Sequence, residues 1–384
     1  DTHRTLNHLT PPPSYPNAFG TLLGKTDAEI SDRILAAYAQ LFHGDPSTQA
    51  VYFEQDATTA TIEDIYHQND VRTEGLGWGM LISVELDKRD EFDRLWRYSK
   101  ATARYASGPY EGYFQSWCDM TSSTVSCADP FGLEQFVMSL VLANDRWGGA
   151  IADIDYEADA IELFDLMLDK EQQSGGAGGV TNTFDSTNKL TYDVPNVSAS
   201  SYTRPALEMP GYYRLWAEAT GNPFWLDAAA AADAPGGYWD VSANATTGLW
   251  PVRAYFDGAP VTGSDTFVAE AYRTELNLAV DQIWSAGSSF NGTEATRLLG
   301  FFSSQGIDTY GTSYQLDGTN IVPARETALI LANGTLALIS SNADREGYVS
   351  AVWDQAIPSG DVRYYAGMLD LLALMILGGQ FRVY

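Results

Sequence analysis

The sequence is poor in the residues on which many catalytic sites depend. It has only four histidines, at 3, 8, 43 and 67, and none has a metal-like spacing to another histidine, a cysteine or a carboxylate. A zinc site or an iron facial triad is therefore not expected. No G-x-S-x-G motif occurs, and no histidine has an obvious partner in a nucleophilic serine. We expect neither a bound metal nor a cofactor.

Nucleotide-binding motifs and basic residues are also scarce. The run GLGWG at 75–79 lacks the spacing of a dinucleotide fingerprint, no buried strand precedes it, and no P-loop occurs. The 22 Lys and Arg stand against 50 Asp and Glu, which gives a net charge of −28. Such a surface repels phosphate backbones and anionic lipid, so we expect no nucleic-acid or membrane partner. No apolar run is long enough to predict a transmembrane helix.

Cysteine is represented only by Cys118 and Cys127, in the polar loop WCDMTSSTVSCAD. A disulfide would close this short loop in an oxidising compartment, and two free thiols are the alternative. Sequons at Asn196, Asn244, Asn291 and Asn333 support secretion only weakly, because chance alone would give roughly two. Asn333 lies in an apolar helical pattern and is a poor glycan site. The Pro-rich start, residues 1–20, is not a signal peptide. We predict a secreted protein.

Hydrophobic periodicity predicts a largely helical chain. In DEFDRLWRYSKATARYA, for example, Phe92, Leu95, Trp96 and Ala103 fall on one face after an acidic first turn. About twelve segments show such a pattern: 27–42, 75–87, 90–106, 132–145, 156–172, 205–220, 223–233, 267–285, 292–304, 324–340, 344–354 and 363–378. No charge run or low-complexity linker divides the chain. We therefore predict one all-α domain over residues 1–384, a toroid of helical hairpins with an extended N-terminal segment at 1–26.

Carboxylates and aromatic side chains are the functional groups that remain. Ten Trp and 22 Tyr are many, and aromatic faces bind the apolar patches of sugar rings. Most of these side chains belong to the core, and those beside glycines or in loops are the better platform candidates: Trp78, Tyr113, Trp117, Tyr364 and Tyr365. Glycoside hydrolysis needs a protonated acid at the leaving oxygen and a second carboxylate across the sugar. Glu74, in NDVRTEGLGWGM, is either such a group or a helix cap. If it is such a group, the glycines of GLGWG would let a substrate approach the backbone.

Five blocks of the sequence resemble glycoside hydrolase family 8, and they follow the family's order. The block DVRTEGLGWGMLISVELDKRDEFDRLWRYSK at 70–100 is similar to the signature D-x-R-T/S-E-G-x-x-Y/W-G-M followed by E-F-D-x-L-W. The other blocks are LEQFVMSLVLANDRWG at 133–148, PGYYRLWAEATGNPFW at 210–225, EAYRTELNLAVDQIW at 270–284, and residues 357–384. The resemblance implies an (α/α)6 barrel, in agreement with the helices expected from periodicity.

The resemblance also implies an inverting mechanism with Glu74 as the general acid. Glu270 occupies the position of the general base, where the family has Asp. Its carboxyl lies about 1.5 Å further from the backbone, and an inverting pair must stay roughly 6.5–9.5 Å apart. A base at Glu270 therefore needs a compensating backbone shift, and an ion pair with Arg273 is its structural alternative. The helix dipole at Glu74 opposes a raised pKa, so apolar neighbours such as Trp78 must outweigh it.

The expected sugar-binding shell departs from the family pattern. In ADPFGLEQF, Phe131 replaces the Asp of A-P-D-G-E-E-Y-F, and Asp129 could take its place only through a local shift. The substrate-binding residues that we predict besides the aromatic platforms are Phe131, Glu134, Arg204, Tyr212, Arg273 and Arg325. If Arg204 and Arg325 line the cleft, they would favour a uronate-bearing substrate.

The loops containing GGAGGVTNTFDSTNKLTYDVP and FDGAPV most resemble the branch of the family that releases xylose from the reducing end of xylo-oligosaccharides. We therefore predict an inverting hydrolase of β-1,4-linked xylan or xylo-oligosaccharides. The alternatives are a family member acting on another β-linked chain (glucan, chitosan or a uronate-bearing chain) and a carbohydrate-binding pseudoenzyme. The expected partner is an oligo- or polysaccharide, and we expect a monomer.

Overall fold

The computed structural model describes residues 4–115, 117–118, 128–199 and 201–384, with residues 117 and 118 described by their backbone alone. Helices dominate these parts of the chain. They are α1 (Ala18–Leu23), α2 (Asp27–His43), α3 (Thr73–Glu85), α4 (Arg89–Tyr98), α5 (Pro130–Trp147), α6 (Tyr156–Ser174), α7 (Pro210–Thr220), α8 (Phe224–Asp233), α9 (Tyr238–Ser242), α10 (Arg273–Ser285), α11 (Ser289–Gln305), α12 (Thr327–Leu336), α13 (Arg345–Trp353) and α14 (Tyr365–Leu377). A π-helical turn, Ser99–Ala103, continues α4.

Short strands connect the helices. They are β1 (Tyr52–Glu54), β2 (Ala60–Asp64), β3 (Asp70–Arg72), β4 (Trp117–Cys118), β5 (Ala150–Ile151), β6 (Ile154–Asp155), β7 (Tyr202–Thr203), β8 (Ala254–Tyr255), β9 (Thr266–Phe267), β10 (Ser313–Gln315) and β11 (Asn320–Val322). All of their pairings are antiparallel. They form a four-stranded sheet in the order β1-β2-β3-β4, a three-stranded sheet in the order β11-β10-β9, and the pairs β5-β6 and β7-β8.

Six helices form a closed inner ring. Along the series α3, α5, α7, α10, α12 and α14 each helix packs against the next, and α14 packs back against α3. Each inner helix also packs against one outer helix, in the pairs α3–α4, α5–α6, α7–α8, α10–α11, α12–α13 and α14–α2. Most residues of the inner helices are buried; in α14 every residue from Ala366 to Leu377 is buried. This arrangement is an (α/α)6 barrel and confirms the predicted fold.

The alternation of inner and outer helices determines where a site can form. Each outer helix returns the chain to the starting end, so the inner helices run in the same direction. Their N-termini therefore gather at one end of the barrel, and Glu74, Phe131 and Arg273 all lie within the first two residues of an inner helix. Helix N-termini and the loops that precede them together build this end.

Most predicted helix boundaries hold to within a few residues, and the larger differences have local causes. The segment predicted at 205–220 begins as a 3-10 turn, Pro205–Leu207, and α7 starts only at Pro210. The segment predicted at 267–285 begins as strand β9 and a 3-10 helix, Ala269–Tyr272, before α10 starts. The N-terminal segment predicted to be extended contains α1, and the sequence reading also missed α9.

Glycines allow the inner helices to approach each other closely. A Cβ atom at Gly77 would lie 2.5 Å from Cβ of Gln135 on α5, and one at Gly132 would lie 2.5 Å from Cβ of Thr73 on α3. These glycines are therefore required by helix packing. No helix in the described parts of the chain is long and apolar enough to span a membrane.

Candidate active site

Glu74 lies in the first turn of α3 and is held by two partners from distant parts of the chain. Nη1 of Arg273 forms an ion pair with its Oε2, and the hydroxyl of Tyr364 donates a hydrogen bond of 3.0 Å to its Oε1. The Glu74 side chain remains 14% exposed. Both carboxylate oxygens are thus oriented by protein groups, while part of the side chain remains open to solvent.

The surroundings of Glu74 favour its protonated form. Burial raises the pKa of Glu74 above its ordinary value, and the charge of Asp129 adds to this effect. Arg273, Arg72 and the hydrogen bond from Tyr364 act in the opposite direction but do not cancel it. A raised pKa is what a general acid requires near neutral pH. Desolvation thus outweighs the two arginines, which is the outcome that the predicted role demands.

Gly75 gives Tyr364 the space to reach Glu74. A Cβ atom at Gly75 would lie 2.7 Å from Cε2 and 2.9 Å from the hydroxyl of Tyr364. We predicted that the glycines of GLGWG let a substrate approach the backbone, and this interpretation is wrong. Gly75 admits a tyrosine side chain, Gly77 admits α5, and Gly79 admits Ile62.

Arg273 is sandwiched between a carboxylate and an aromatic ring. Its side chain is 4% exposed, and its guanidinium carbon lies 4.4 Å from the ring centroid of Phe131. Trp78 meets the Phe131 ring edge-on at 5.5 Å and lies 6.0 Å from the ring of Tyr365. Trp78 and Phe131 are both almost fully buried, at 3% and 1% exposure, so neither offers an open face to a sugar.

Glu270, the predicted general base, lies in the 3-10 helix that precedes α10, and its side chain is exposed. The charge of Glu270 contributes to raising the pKa of both Arg204 and Arg273, so its carboxylate lies near both guanidinium groups. The neighbouring carbonyl of Ala269 accepts a hydrogen bond of 2.6 Å from Tyr365. The alternative ion pair between Glu270 and Arg273 does not form in the described structure, because Arg273 pairs with Glu74 and donates to the Glu270 backbone carbonyl.

Asp129 is a third carboxyl of the same cluster. It caps α5 by accepting a hydrogen bond of 3.2 Å from the backbone N–H of Phe131. Burial raises the pKa of Asp129, while Arg204 and Arg273 lower it. Its charge also acts on Glu74, so Asp129 lies near Glu74. From the sequence, Asp129 was expected to take this place only through a local shift. The sequence does contain a signal for the capping position of Asp129. Asp is a preferred helix cap, and Pro130 follows it in the first turn of α5.

Arg204 faces the cluster but already has a carboxylate partner. Its Nε forms an ion pair with Asp193, and its side chain is 12% exposed. Asp193 also accepts a hydrogen bond of 3.1 Å from Nε of Arg253. The short β7–β8 pair joins the segments that carry these two arginines. Sequence spacing gave no indication of this Arg–Asp–Arg arrangement.

Glu134 lies in a buried polar network and makes no recorded contact with Glu74. Its Oε1 accepts a hydrogen bond of 2.8 Å from Tyr213, whose hydroxyl is also 3.3 Å from Oε2 of Glu208. Burial, with the charge of Glu208, raises the pKa of Glu134 well above its ordinary value. Both acids are fully buried. The predicted contact of Glu134 with a substrate has no support from this position.

Two other predicted binding residues, Tyr113 and Tyr212, make their hydrogen bonds away from Glu74. Tyr113 is buried and donates a hydrogen bond of 2.9 Å to the carbonyl of Thr181. Tyr212 donates one of 3.0 Å to Gln135 and stacks on Trp284 at 5.5 Å. Tyr212, Trp78, Phe131 and Arg273 line a space of about 20 Å³ between the inner helices, which is too small for a sugar.

Arg325 precedes α12 and is held by the loop before β10. Its Nη2 donates a hydrogen bond of 2.8 Å to the carbonyl of Ile307, its guanidinium lies 4.9 Å from the ring centroid of Tyr310, and Asp308 lies at 3.9 Å. The backbone of Trp117 pairs with Arg72 beside Glu74, but its side chain lies outside the described residues.

The predicted disulfide and the four sequons can be compared with the structure only in part. The predicted disulfide lies outside the described residues, since the Cys118 side chain and all of Cys127 are not described. Asn291 is fully buried and its Nδ2 donates a hydrogen bond of 2.6 Å to Asp281, so this sequon cannot accept a glycan in the folded chain. Asn333 is fully buried too, as expected for a poor glycan site. Asn196 and Asn244 are partly exposed.

A cavity of about 930 Å³ lies apart from this cluster, on the flank of the barrel between the end of α4 and α6. Its lining includes Lys100, Arg104, Tyr105 and Lys170, and none of the predicted site residues. Within the described parts of the chain, no group of three or more His, Cys, Asp and Glu is arranged to hold a metal ion.

Comparisons with known proteins agree with this architecture. The sequence model for "Glycosyl hydrolases family 8" matches residues 51–379. The reducing end xylose-releasing exo-oligoxylanase of Halalkalibacterium halodurans is 30% identical over 375 residues, covering 94% of this chain and 92% of that protein. The corresponding Rex8A of Paenibacillus barcinonensis is 29% identical over 372 residues, 94% of each chain. Endoglucanase C of Ruminiclostridium cellulolyticum is 25% identical over 321 residues, 81% of this chain and 64% of that protein.

Solved structures show the same similarity over nearly the whole chain. Rex8A complexed with xylose superposes with a TM-score of 0.87 at 29% identity, covering 97% of this chain and 98% of that one. A family 8 xylobiose complex from Teredinibacter turnerae gives a TM-score of 0.90 at 28% identity, covering 96% and 98%. The sequence match, the barrel and the carboxyl cluster at its open end lead to one conclusion: the chain belongs to glycoside hydrolase family 8 and is a glycoside hydrolase.

Proposed function

We propose that the enzyme hydrolyses β-1,4-linked xylo-oligosaccharides with inversion and releases xylose from the reducing end. The observation that carries the reaction is Glu74, a carboxyl of raised pKa held by Arg273 and Tyr364 at the open end of the barrel. The substrate class is supported by relatives that bear this activity in their names and align over more than nine tenths of both chains. The endoglucanases align over a smaller share of their own length.

Glu74 protonates the leaving oxygen, and Glu270 activates the attacking water from the other side of the sugar. The longer side chain of Glu270, compared with Asp, starts from a 3-10 turn ahead of α10. Tyr365 anchors this turn through the Ala269 carbonyl. The charges of Arg204 and Arg273 both interact with that of Glu270, which places its carboxylate beside the arginines of the site.

Two alternative functions receive less support. A uronate-binding role for Arg204 and Arg325 would require guanidinium groups that are free to bind an anion, and both already have carboxylate neighbours. A pseudoenzyme that only binds carbohydrate would not need a carboxyl of raised pKa held through both of its oxygens. We therefore favour retained hydrolysis despite the replacement of Asp by Glu at the base position.

The test is incubation of the purified protein with xylotriose to xylohexaose, xylan, β-glucan and chitosan, with products separated by chromatography. We expect xylose and a shortened oligosaccharide, with the new reducing end appearing first as the α-anomer in proton NMR. Xylotetraose reduced to its alditol should resist hydrolysis, because a reducing-end exo-enzyme needs the terminal ring. Rapid cleavage of the alditol or of long xylan chains would contradict the exo assignment, and a β-anomer would contradict inversion.

We also propose that the chain is secreted and that Cys118 and Cys127 form a disulfide. Support comes from the sequence alone: a short, polar, Ser- and Thr-rich loop between the two cysteines, and the sequons at Asn196 and Asn244. Thiol alkylation of the protein purified from its native host, followed by mass spectrometry, tests the pairing. Labelling of both cysteines without prior reduction would contradict it.

A further inference from the structure

Phe131 occupies a position to which the family resemblance assigns a sugar-contacting acid. In the structure, however, its ring is buried between Arg273 and Trp78. Its ring is 1% exposed, so it cannot present a face to a ligand. One side of the ring lies against the Arg273 guanidinium at 4.4 Å, and the edge-on Trp78 packs against it at an interplanar angle of 89°. The Asp129 cap on the backbone N–H of Phe131 fixes the start of the helix that carries it.

Arg273 has other carboxylates within reach of its charge. Glu270 is three residues earlier on the chain, and both Glu270 and Asp129 interact electrostatically with the guanidinium. Nevertheless the ion pair that forms is with Glu74, which is 199 residues away. A guanidinium that stacks on an aromatic ring keeps its edge free for a carboxylate in the plane of the group. The Phe131 ring therefore restricts which acid Arg273 can meet.

We propose that Phe131 is a positioning residue for catalysis: its ring holds the Arg273 guanidinium against the Glu74 carboxyl and so orients the proton donor. This proposal rests on the proposed role of Glu74. An Asp at position 131 would offer Arg273 a competing carboxylate beside Glu74, whereas the phenyl ring offers none. With Phe in place of Asp at position 131, the Arg273 guanidinium pairs with Glu74, and Tyr364 fixes the other carboxyl oxygen of Glu74.

The consequence concerns both orientation and proton affinity. The groups that act on Glu74 are Arg273 from α10, Arg72 from the end of β3, Asp129 from the cap of α5, and Tyr364 from the turn before α14. Of these, Arg273 is the strongest of those that lower the pKa of Glu74. If the ring is lost, Arg273 becomes free to turn toward Glu270 or Asp129. Glu74 then keeps its proton to higher pH but no longer points it at the leaving oxygen.

The experiment compares Phe131→Leu, Phe131→Tyr and a matched control, Phe136→Leu. Phe136 is also fully buried on α5, but it packs against Trp96 and Phe114. We expect Phe131→Leu to lower kcat on xylotetraose about 10-fold with little change in KM, and to move the alkaline limb of kcat upward. Phe131→Tyr should keep the kcat and the pH profile of the wild type, because it keeps the aromatic ring. Hydrolysis of β-xylobiosyl fluoride, whose leaving group needs no proton, should fall much less than hydrolysis of xylotetraose.

Two results would overturn the proposal. One is a Phe131→Leu enzyme with the kcat and pH profile of the wild type. The other is an equal loss in Phe131→Leu and Phe136→Leu, which would assign the effect to packing. If the wild type cleaves no xylo-oligosaccharide, the proposed substrate is wrong, but the positioning role of Phe131 can still be tested. Carbon-13 NMR titration of labelled Glu74 should then show a higher pKa of Glu74 in Phe131→Leu than in the wild type. An unchanged titration curve would refute the positioning role of Phe131.

Discussion

Glu208 is a fully buried acid on the loop before α7, and glutamine at this position should protect the fold at alkaline pH. The carboxyl accepts hydrogen bonds from the Thr191 backbone at 3.1 Å and from the Thr191 hydroxyl at 2.9 Å, and its Oε2 lies 3.3 Å from the Tyr213 hydroxyl. These bonds lower its pKa, but burial has the larger effect and raises it from 4.5 to about 8. In the folded chain at neutral pH the group is therefore mostly a neutral acid.

The direction of the pH effect follows from this shift. Because the folded pKa lies above the unfolded one, the stability associated with the neutral form of Glu208 is fully present below about pH 4.5. It is lost as the pH rises toward 8, and the loss levels off above that value. At about 1.4 kcal/mol for each pH unit, the loss reaches about 3 kcal/mol at pH 7 and about 5 kcal/mol well above pH 8. Glutamine keeps an acceptor for Thr191 and an N–H donor in place of the acid proton, and it cannot ionise.

The assay is urea unfolding at pH 5, 7 and 9 for the wild type and Glu208→Gln. We expect similar free energies of unfolding at pH 5, and a stabilisation of the variant by about 3 kcal/mol at pH 7 that grows at pH 9. Glu54→Gln is the control, since the side chain of Glu54 is 61% exposed and its removal should leave the pH dependence unchanged. A Glu208→Gln protein whose stability falls with pH as steeply as that of the wild type would refute the reasoning.

Three further predictions concern the reaction. Glu74→Gln should reduce kcat on xylo-oligosaccharides by about 10³-fold with an unchanged Tm, and near wild-type turnover would refute its role as proton donor. Glu270→Gln should lose about 10²- to 10⁴-fold in kcat while Glu270→Asp keeps part of it; a fully active Glu270→Gln would move the base elsewhere, with Asp129 the next candidate. Tyr364→Phe removes a hydrogen bond that lowers the pKa of Glu74, so the alkaline limb of kcat/KM should rise by a fraction of a pH unit; a downward shift would contradict this.

The sequence predicted the barrel well because its inner helices leave a strong local signal. Continuous apolar segments such as ALILANGTLAL and YAGMLDLLALMIL can only be buried, and they alternate with amphipathic helices such as α4. Both signals are contained within about fifteen residues. The spacing of T-E-G within a motif likewise placed Glu74 at a helix start without knowledge of any other part of the chain.

What the sequence could not provide are contacts between distant segments. The pairing of Glu74 with Arg273 joins residues 199 apart, and the bond from Tyr364 joins residues 290 apart. The same limit explains the platform candidates: nothing local to Trp78 shows that Phe131 and Tyr365 cover its ring. The prediction for the glycines of GLGWG was wrong for a related reason. A glycine is required both where another part of the protein approaches the backbone and where a substrate does, so the residue alone does not distinguish the two.

Burial and the charges around Glu74 explain why its pKa is raised. The chain has only 22 basic residues, yet Arg72 and Arg273 act on Glu74, and Arg204 faces the acids beside it. These arginines oppose protonation, so the raised pKa of Glu74 comes first from desolvation and only second from a neighbouring acid. Exclusion of water is also what a bound sugar ring brings about. Substrate binding should therefore raise the pKa of Glu74 further, strengthening its hold on the proton when a leaving oxygen is there to receive it.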